Sequence, residues 1–350
     1  MYGSSLDQIG RRPVEVPKIP INTQSIDSTE ERIPVSNEQR TTRKTFALAH
    51  LSDPHLPMPH ARPLELIGKR ATGYLNWWRN RVHLHVPEAL AGIVADIKAE
   101  KPDHIALTGD LVNISLATEF SRAAQWLAAL GGPHDVTVIP GNHDVYVATA
   151  WPESLGLWGA YIAGDGQPPA TAFDVFPTLR RRGPVALVGL SSGVPKPPLF
   201  ATGTLGEAQI AAAERMLADL GREGLCRVVL IHHPPLTTES RFKRLTDAAA
   251  FQAMIRRVGC ELVLHGHNHR SEVARIAGPN GPVPVIGVTS ASAAPDSKYG
   301  RARYHLIHIE RENEGWRIGV ELRALRNDGA GCEPDGDLVF HSGRALAVVA

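Results

Sequence analysis

Cysteine is scarce in this sequence: Cys226, Cys260 and Cys332 are odd in number, widely spaced, and form no Cys-x-x-Cys pair. This argues against a disulfide framework and fits a reducing compartment. Neither sign of charge is in excess, since 37 Lys and Arg stand against 36 Asp and Glu for a net charge of +1 with His neutral. Such a chain carries no global field that would draw it to nucleic acid or an anionic membrane, so any basic patch must be local. There is no run of about 18 apolar residues to span a bilayer, and the N-terminus lacks the apolar core of a secretory signal. The location expected from these absences is cytoplasmic. What is present is a hydrophobic content of 43% over 350 residues, enough for a single α/β core with tails.

The segment Thr137-Val138-Ile139-Pro140-Gly141-Asn142-His143-Asp144 sets the pattern. A short β-branched run reads as a strand buried on both faces, and Pro-Gly stops it. An amide, an imidazole and a carboxylate follow directly; each needs a partner, because an unpaired buried polar group costs roughly 1–3 kcal/mol. Four other apolar runs end in the same way. Phe46–Leu51 leads into Ser52-Asp53-Pro54-His55, and Ile105–Leu107 into Thr108-Gly109-Asp110. Val228–Ile231 leads into His232-His233-Pro234-Pro235, and Leu262–Leu264 into His265-Gly266-His267-Asn268-His269. In open α/β sheets ligands gather beyond the carboxyl ends of the strands, so these side chains are expected in one crevice. Carboxylates, imidazoles and a carboxamide without any cysteine suit manganese, iron or zinc.

In order and spacing, the five blocks closely resemble the calcineurin-like metallophosphoesterases: Asp-x-His, Gly-Asp, Gly-Asn-His-(Asp/Glu), a His before Pro, and Gly-His-x-His. The resemblance runs over roughly residues 45–325. It implies a layered α/β sandwich of two mixed β-sheets flanked by helices, and two metal ions. By resemblance the first metal takes Asp53, His55, Asp110 and His269, and the second takes Asp110, Asn142, His232 and His267, with Asp110 as the bridge. His143 is then a proton donor to the leaving group or a hydrogen-bond donor to the transition state. Asp144 either orients His143 through its other nitrogen or caps a helix. His233 and His265 are expected beside the ligands, and His50 as a hydrogen-bonded core residue.

Along the rest of the chain, residues 1–44 are polar and proline-bearing without hydrophobic period and read as a disordered tail, with Pro17-Lys18-Ile19-Pro20 a weak PxxP match. Residues 56–86 form an insertion in which Arg62, Lys69, Arg70, Arg79 and Arg81 alternate with Leu64, Leu66, Ile67, Tyr74, Leu75, Trp77 and Trp78. It could cover the crevice, hold a phosphate-bearing substrate, or touch a membrane surface through 62–82. The plainer expectation is an amphipathic helix with its arginines exposed, Trp77 in the core and Trp78 outside. His83 and His85 read as surface residues at its end. Helices are expected over 86–100, 121–130 and 207–220, and antiparallel strands over 283–288, 304–310 and 316–322. Residues 326–350 give no clear pattern.

The function that the resemblance implies is hydrolysis of a phosphoric ester by attack of a metal-bridging hydroxide on phosphorus. A phosphodiester, with a 3',5'-cyclic nucleotide foremost, is the expected substrate. The alternatives are a pyrophosphate hydrolase acting on a nucleotide-linked lipid precursor and, in a different class, a non-catalytic protein-binding scaffold.

Overall fold

Buried strands here are short runs of valine, leucine and isoleucine, and in one of the two sheets alternate side chains serve two different cores. In a computed structural model, the described residues are 45–342 apart from Val82, Glu314 and Ala330, with only the backbone described for Asn80 and Arg81. The expected disordered tail over 1–44, its PxxP segment and residues 343–350 lie outside them. The strands in chain order are β1 (Phe46–Leu51), β2 (His104–Leu107), β3 (Val136–Val138), β4 (Thr178–Arg182), β5 (Val185–Gly189), β6 (Cys226–Leu230), β7 (Leu262–His265), β8 (Glu272–Gly278), β9 (Gly281–Gly287), β10 (Arg303–Glu312), β11 (Gly315–Leu325) and β12 (Cys332–Ser342). The helices are α1 (Lys69–Asn76), α2 (Pro87–Glu100), α3 (Ala117–Leu130), α4 (Gly159–Ile162), α5 (Glu207–Arg222) and α6 (Ala248–Val258).

Two mixed six-stranded sheets result, in the orders β12-β11-β10-β1-β2-β3 and β4-β5-β6-β7-β9-β8. In the first, β1, β2 and β3 run parallel while β10, β11 and β12 add antiparallel pairs. In the second, β5, β6, β7 and β9 are parallel, edged by antiparallel β4 and β8. Period-two alternation divides the second sheet's residues. Leu187, Val228, Leu230, Leu262, Leu264 and Ile286 join one core with Leu48, Leu51, Leu107 and Val138 of the first sheet. Their neighbours Val188, Val229, Ile231, Val263 and Val285 pack instead with Leu217, Phe251 and Met254 of α5 and α6. Pro87 stands in the first turn of α2, where no intrahelical N–H is lost, and Leu90, Ile93 and Ile97 give the helix its buried stripe.

Residues 326–350 show no strand pattern in sequence, yet Cys332–Ser342 forms an edge strand along β11, from Leu325↔Cys332 to Trp316↔Ser342. The insertion also departs from expectation. No residue of α1 is buried; Trp77 is half-buried against Tyr74 rather than in the core, whereas Trp78, 60% exposed, stands outside as expected. Leu56 and Val86 anchor its two ends in the core, and basic residues fasten α1 between them. Lys69 Nζ donates to the Tyr146 carbonyl at 3.0 Å, and Arg70 Nη2 to that of Ser115 at 2.6 Å. Gly73 permits the approach, since a Cβ there would lie 2.7 Å from the Tyr146 hydroxyl.

Candidate metal centre

All five polar blocks follow strands of the two sheets and meet at one place. The segment after β1 lies along the one after β2: Asp53 N–H donates to Gly109 O at 3.0 Å and His55 N–H to Asp110 O at 3.1 Å. Glycines make this approach possible. A Cβ on Gly141 would stand 2.2 Å from Asp110 Oδ1, and one on Gly266 would stand 2.4 Å from Asp53 Oδ2. The backbone is strained here. Asp53, His55, Asp110, His267 and His269 all have left-handed φ, between 37° and 69°. For residues other than glycine this costs of order 1–3 kcal/mol each and persists where surrounding contacts impose it.

Each carboxylate divides its oxygens between backbone and imidazoles. Asp53 Oδ2 accepts the His267 N–H at 3.0 Å, and Asp110 Oδ1 accepts the His143 N–H at 2.7 Å. The opposite oxygens face histidine: Asp53 Oδ1 is 3.1 Å from His269 Nε2, while Asp110 Oδ2 is 3.3 Å from His232 Nε2 and 3.9 Å from His55 Nε2. Asn142 Oδ1 lies 3.1 Å from His232 Nε2. His232 and His55 are held from behind, Nδ1 toward the Thr108 carbonyl at 2.6 Å and the Val112 carbonyl at 3.3 Å. That arrangement turns each Nε2 inward, as metal-ligating histidines require. Asp53, His55 and Asp110 form one donor group and Asp110, His232 and His267 another, so Asp110 belongs to both.

Three observations test whether these residues fit cations. His267 Nε2 is buried and has no hydrogen-bond partner. Asp53 Oδ1 is likewise buried without a hydrogen bond, the nearby His269 nitrogen standing outside bonding geometry. Charge points the same way. Burial would lower the pKa of His232, but the Asp110 carboxylate raises it to about 9, whereas burial with His233 and His232 nearby drives that of His267 well below its usual range. Carboxylates that hold a proton on a buried imidazole call for positive charge, and oxygen and nitrogen donors at this density suit a divalent ion.

His143 is half-exposed beside these groups, its Nδ1 bonded to the Asn113 carbonyl and its ring stacked on Tyr146 with centroids 5.6 Å apart. Asp144 does not orient it. Its Oδ2 accepts the N–H groups of Asp110 and Gly141, both at 2.8 Å, and its Oδ1 those of Leu111 at 2.9 Å and Val112 at 3.1 Å. Burial and the Asp110 charge raise its pKa to about 7 against those donors. His233 spends both nitrogens on Ser192 Oγ and Ala201 O, at 2.8 and 3.1 Å. His265 is buried against the Gly266 carbonyl, and His50 bonds Thr108 Oγ1 at 3.0 Å. The residue missed by sequence reasoning is His85, read as surface but found with its ring 4.5 Å from that of His55 and 5.5 Å from that of His269.

Comparison with known proteins agrees with this geometry. The chain is 27% identical over 232 residues to the glycerophosphodiester phosphodiesterase GpdQ of Enterobacter lignolyticus (strain SCF1), covering 63% of this chain and 70% of that protein. Its fold is similar to that of a dimetal phosphatase from Danio rerio, with a TM-score of 0.58 and 13% identity over 85% of this chain and 98% of the other. It is also similar to that of purple acid phosphatase PPD1 from yellow lupin (Lupinus luteus) seeds, with a TM-score of 0.55 and 13% identity over 85% and 54% of the two chains. The sequence model of the calcineurin-like phosphoesterases matches residues 46–271, and the chain, a hydrolase of phosphoester bonds, belongs to that family.

Proposed function

We propose that the chain hydrolyses a phosphodiester at a dinuclear centre, with Asp53, His55, Asp110 and His269 holding one ion and Asp110, Asn142, His232 and His267 the other. The observation that carries this reading is Asp110 Oδ2, within 3.9 Å of His55 Nε2 and 3.3 Å of His232 Nε2, so that one carboxylate serves both donor groups. When bound, two ions of the manganese, iron or zinc class supply Lewis acidity toward the phosphoryl oxygens and activate water near neutral pH. His143 is the proton donor. With Nδ1–H spent on the Asn113 carbonyl, its Nε2 carries the proton toward the leaving alkoxide. Asp144 acts through the backbone, fixing Gly141 and residues 110–112 so that Asp110 and His143 keep their positions.

Diester over monoester is favoured by the likeness to a glycerophosphodiester phosphodiesterase. A glycerophosphodiester and a 3',5'-cyclic nucleotide are therefore the two soluble substrates to assay first. The test is the chelator-stripped protein reloaded with Mn(II) and offered bis(p-nitrophenyl) phosphate and p-nitrophenyl phosphate. Faster turnover of the diester is expected. Two bound ions with no turnover of either compound would overturn the enzymatic reading in favour of a protein-binding scaffold.

A second reading rests on the segment 62–82, where Leu64 is 83%, Ile67 72% and Trp78 60% exposed while Lys69 and Arg70 are turned inward. Exposed apolar side chains on a segment that docks on Tyr146, the ring stacked on His143, suit a lipid-bearing substrate or a membrane surface. Trp78→Ala should then weaken binding to phospholipid vesicles and leave hydrolysis of the soluble diester unchanged; equal vesicle binding by both proteins would remove this reading.

A further inference from the structure

We infer that His85 is an added nitrogen donor to the first metal ion, an inference that rests on the metal-centre reading above. Donor nitrogens of His55, His85 and His269 all lie within 4.8 Å of one another, and both His55 and His269 belong to the first set. The backbone pins His85 there. Val86 N–H donates to Ser292 O at 2.8 Å and Ala294 N–H to Leu84 O at 2.9 Å, forming an antiparallel bridge between His85 and Ala293. The same stretch is bridged on its other side, Ser290 to Ser52, one residue before Asp53.

The hydrogen bonds fix the tautomer. Ser290 Oγ donates its single proton to the Asp53 carbonyl at 2.6 Å. Toward Ser292 Oγ, 3.2 Å away, it can then only accept, so the Ser292 hydroxyl proton points at Ser290. Ser292 in turn must accept from His85 Nδ1 at 2.8 Å. The proton therefore sits on Nδ1, and Nε2 presents a lone pair. A ring nitrogen tied back to an acceptor leaves the other as a lone-pair donor, the arrangement that ligating histidines need, and here the chain of donors ends on the backbone of Asp53 itself. His85 thus brings a third imidazole to the first ion and ties the end of the insertion to it.

The experiment titrates the chelator-stripped full chain with Co(II), following the visible absorption bands and the number and affinity of bound ions, for wild type, His85→Ala and His85→Gln, with the exposed His83→Ala as control. Loss of the donor should weaken one of two ions about 10–100-fold and alter the bands of that ion alone, while the metal-free variants melt with the wild type. His83→Ala should behave as wild type. Both ions bound at wild-type affinity with unchanged bands in the His85 variants would overturn the inference, as would equal weakening of both ions with a lowered metal-free melting temperature, which marks a structural role. Wild type that binds no ion would overturn the metal-centre reading itself, a distinguishable failure.

Discussion

Asp144 holds the backbone of Asp110, not the imidazole of its neighbour His143: the contact is 2.8 Å from Oδ2 to the Asp110 N–H. Two further N–H groups, those of Leu111 and Val112, converge on its other oxygen. Asp144→Asn should therefore act on stability and metal binding. An amide NH₂ would face two buried N–H donors, at about 1–3 kcal/mol each. We expect a melting temperature lower by several degrees and weaker Co(II) uptake. A variant that melts and binds metal as wild type but loses rate would restore the orienting role.

The oxygens of Asp110 make a second prediction. Asp110→Asn retains an acceptor for the His143 N–H but loses the carboxylate charge shared by both donor groups. Metal content and activity should fall together, whereas Asn142→Ala should release one ion and spare the other. Stoichiometry by atomic emission checks both, and two ions retained in the Asp110 variant would exclude the bridge.

His143→Ala should keep both ions and lose on the order of 10² to 10⁴ in rate, the usual range for a positioned proton donor. Diesters with weakly basic leaving groups should suffer least. Uniform loss across leaving groups would point to another role.

Lys69 offers a pH test. Its Nζ stands 3.8 Å from the centre of the Tyr146 ring, which stacks on His143, and burial lowers its pKa from 10.5 to about 8. Between those two values the unfolded chain holds a proton that the folded chain has released, so this group makes stability rise with pH across the interval. Relative to Lys69→Gln, wild type should gain stability as pH climbs from 8 to 10.5. Urea unfolding at pH 7, 8, 9 and 10 measures the difference, and a difference that stays flat or falls would mean the amine keeps its proton in the folded chain.

Much of this was legible from residue order because a parallel strand buried on both faces has little besides its carboxyl end at which to present chemistry. The runs before Asp53, Asp110, Asn142, His232 and His267 were apolar enough to be read as strands and were stopped sharply by Gly or Pro. β12 was not legible. Glu333, Pro334, Asp335 and Gly336 break any strand pattern, yet an edge strand paired on one side tolerates charges and proline. Of the two roles open to Asp144, the orienting one fails because neighbours in sequence need not point together in a turn. His85 left no local sign, since the serines that orient it lie more than 200 residues further along.

That separation bears on how the protein is made. The contact between Asp53 and the His267 N–H closes 214 residues of chain, and the one from Ser290 to the Asp53 carbonyl closes 237. At roughly 5–20 residues per second, a ribosome takes on the order of 10–50 s to supply the second half of the centre after the first. Until residues 232–269 have emerged, Asp53, His55 and Asp110 stand on a nascent chain without His232, His267 and His269, and contacts of such long range form late in folding. The full donor set therefore exists only once His269 has emerged, and a chain truncated before residue 262 would hold β1, β2 and β3 yet lack His267 and His269.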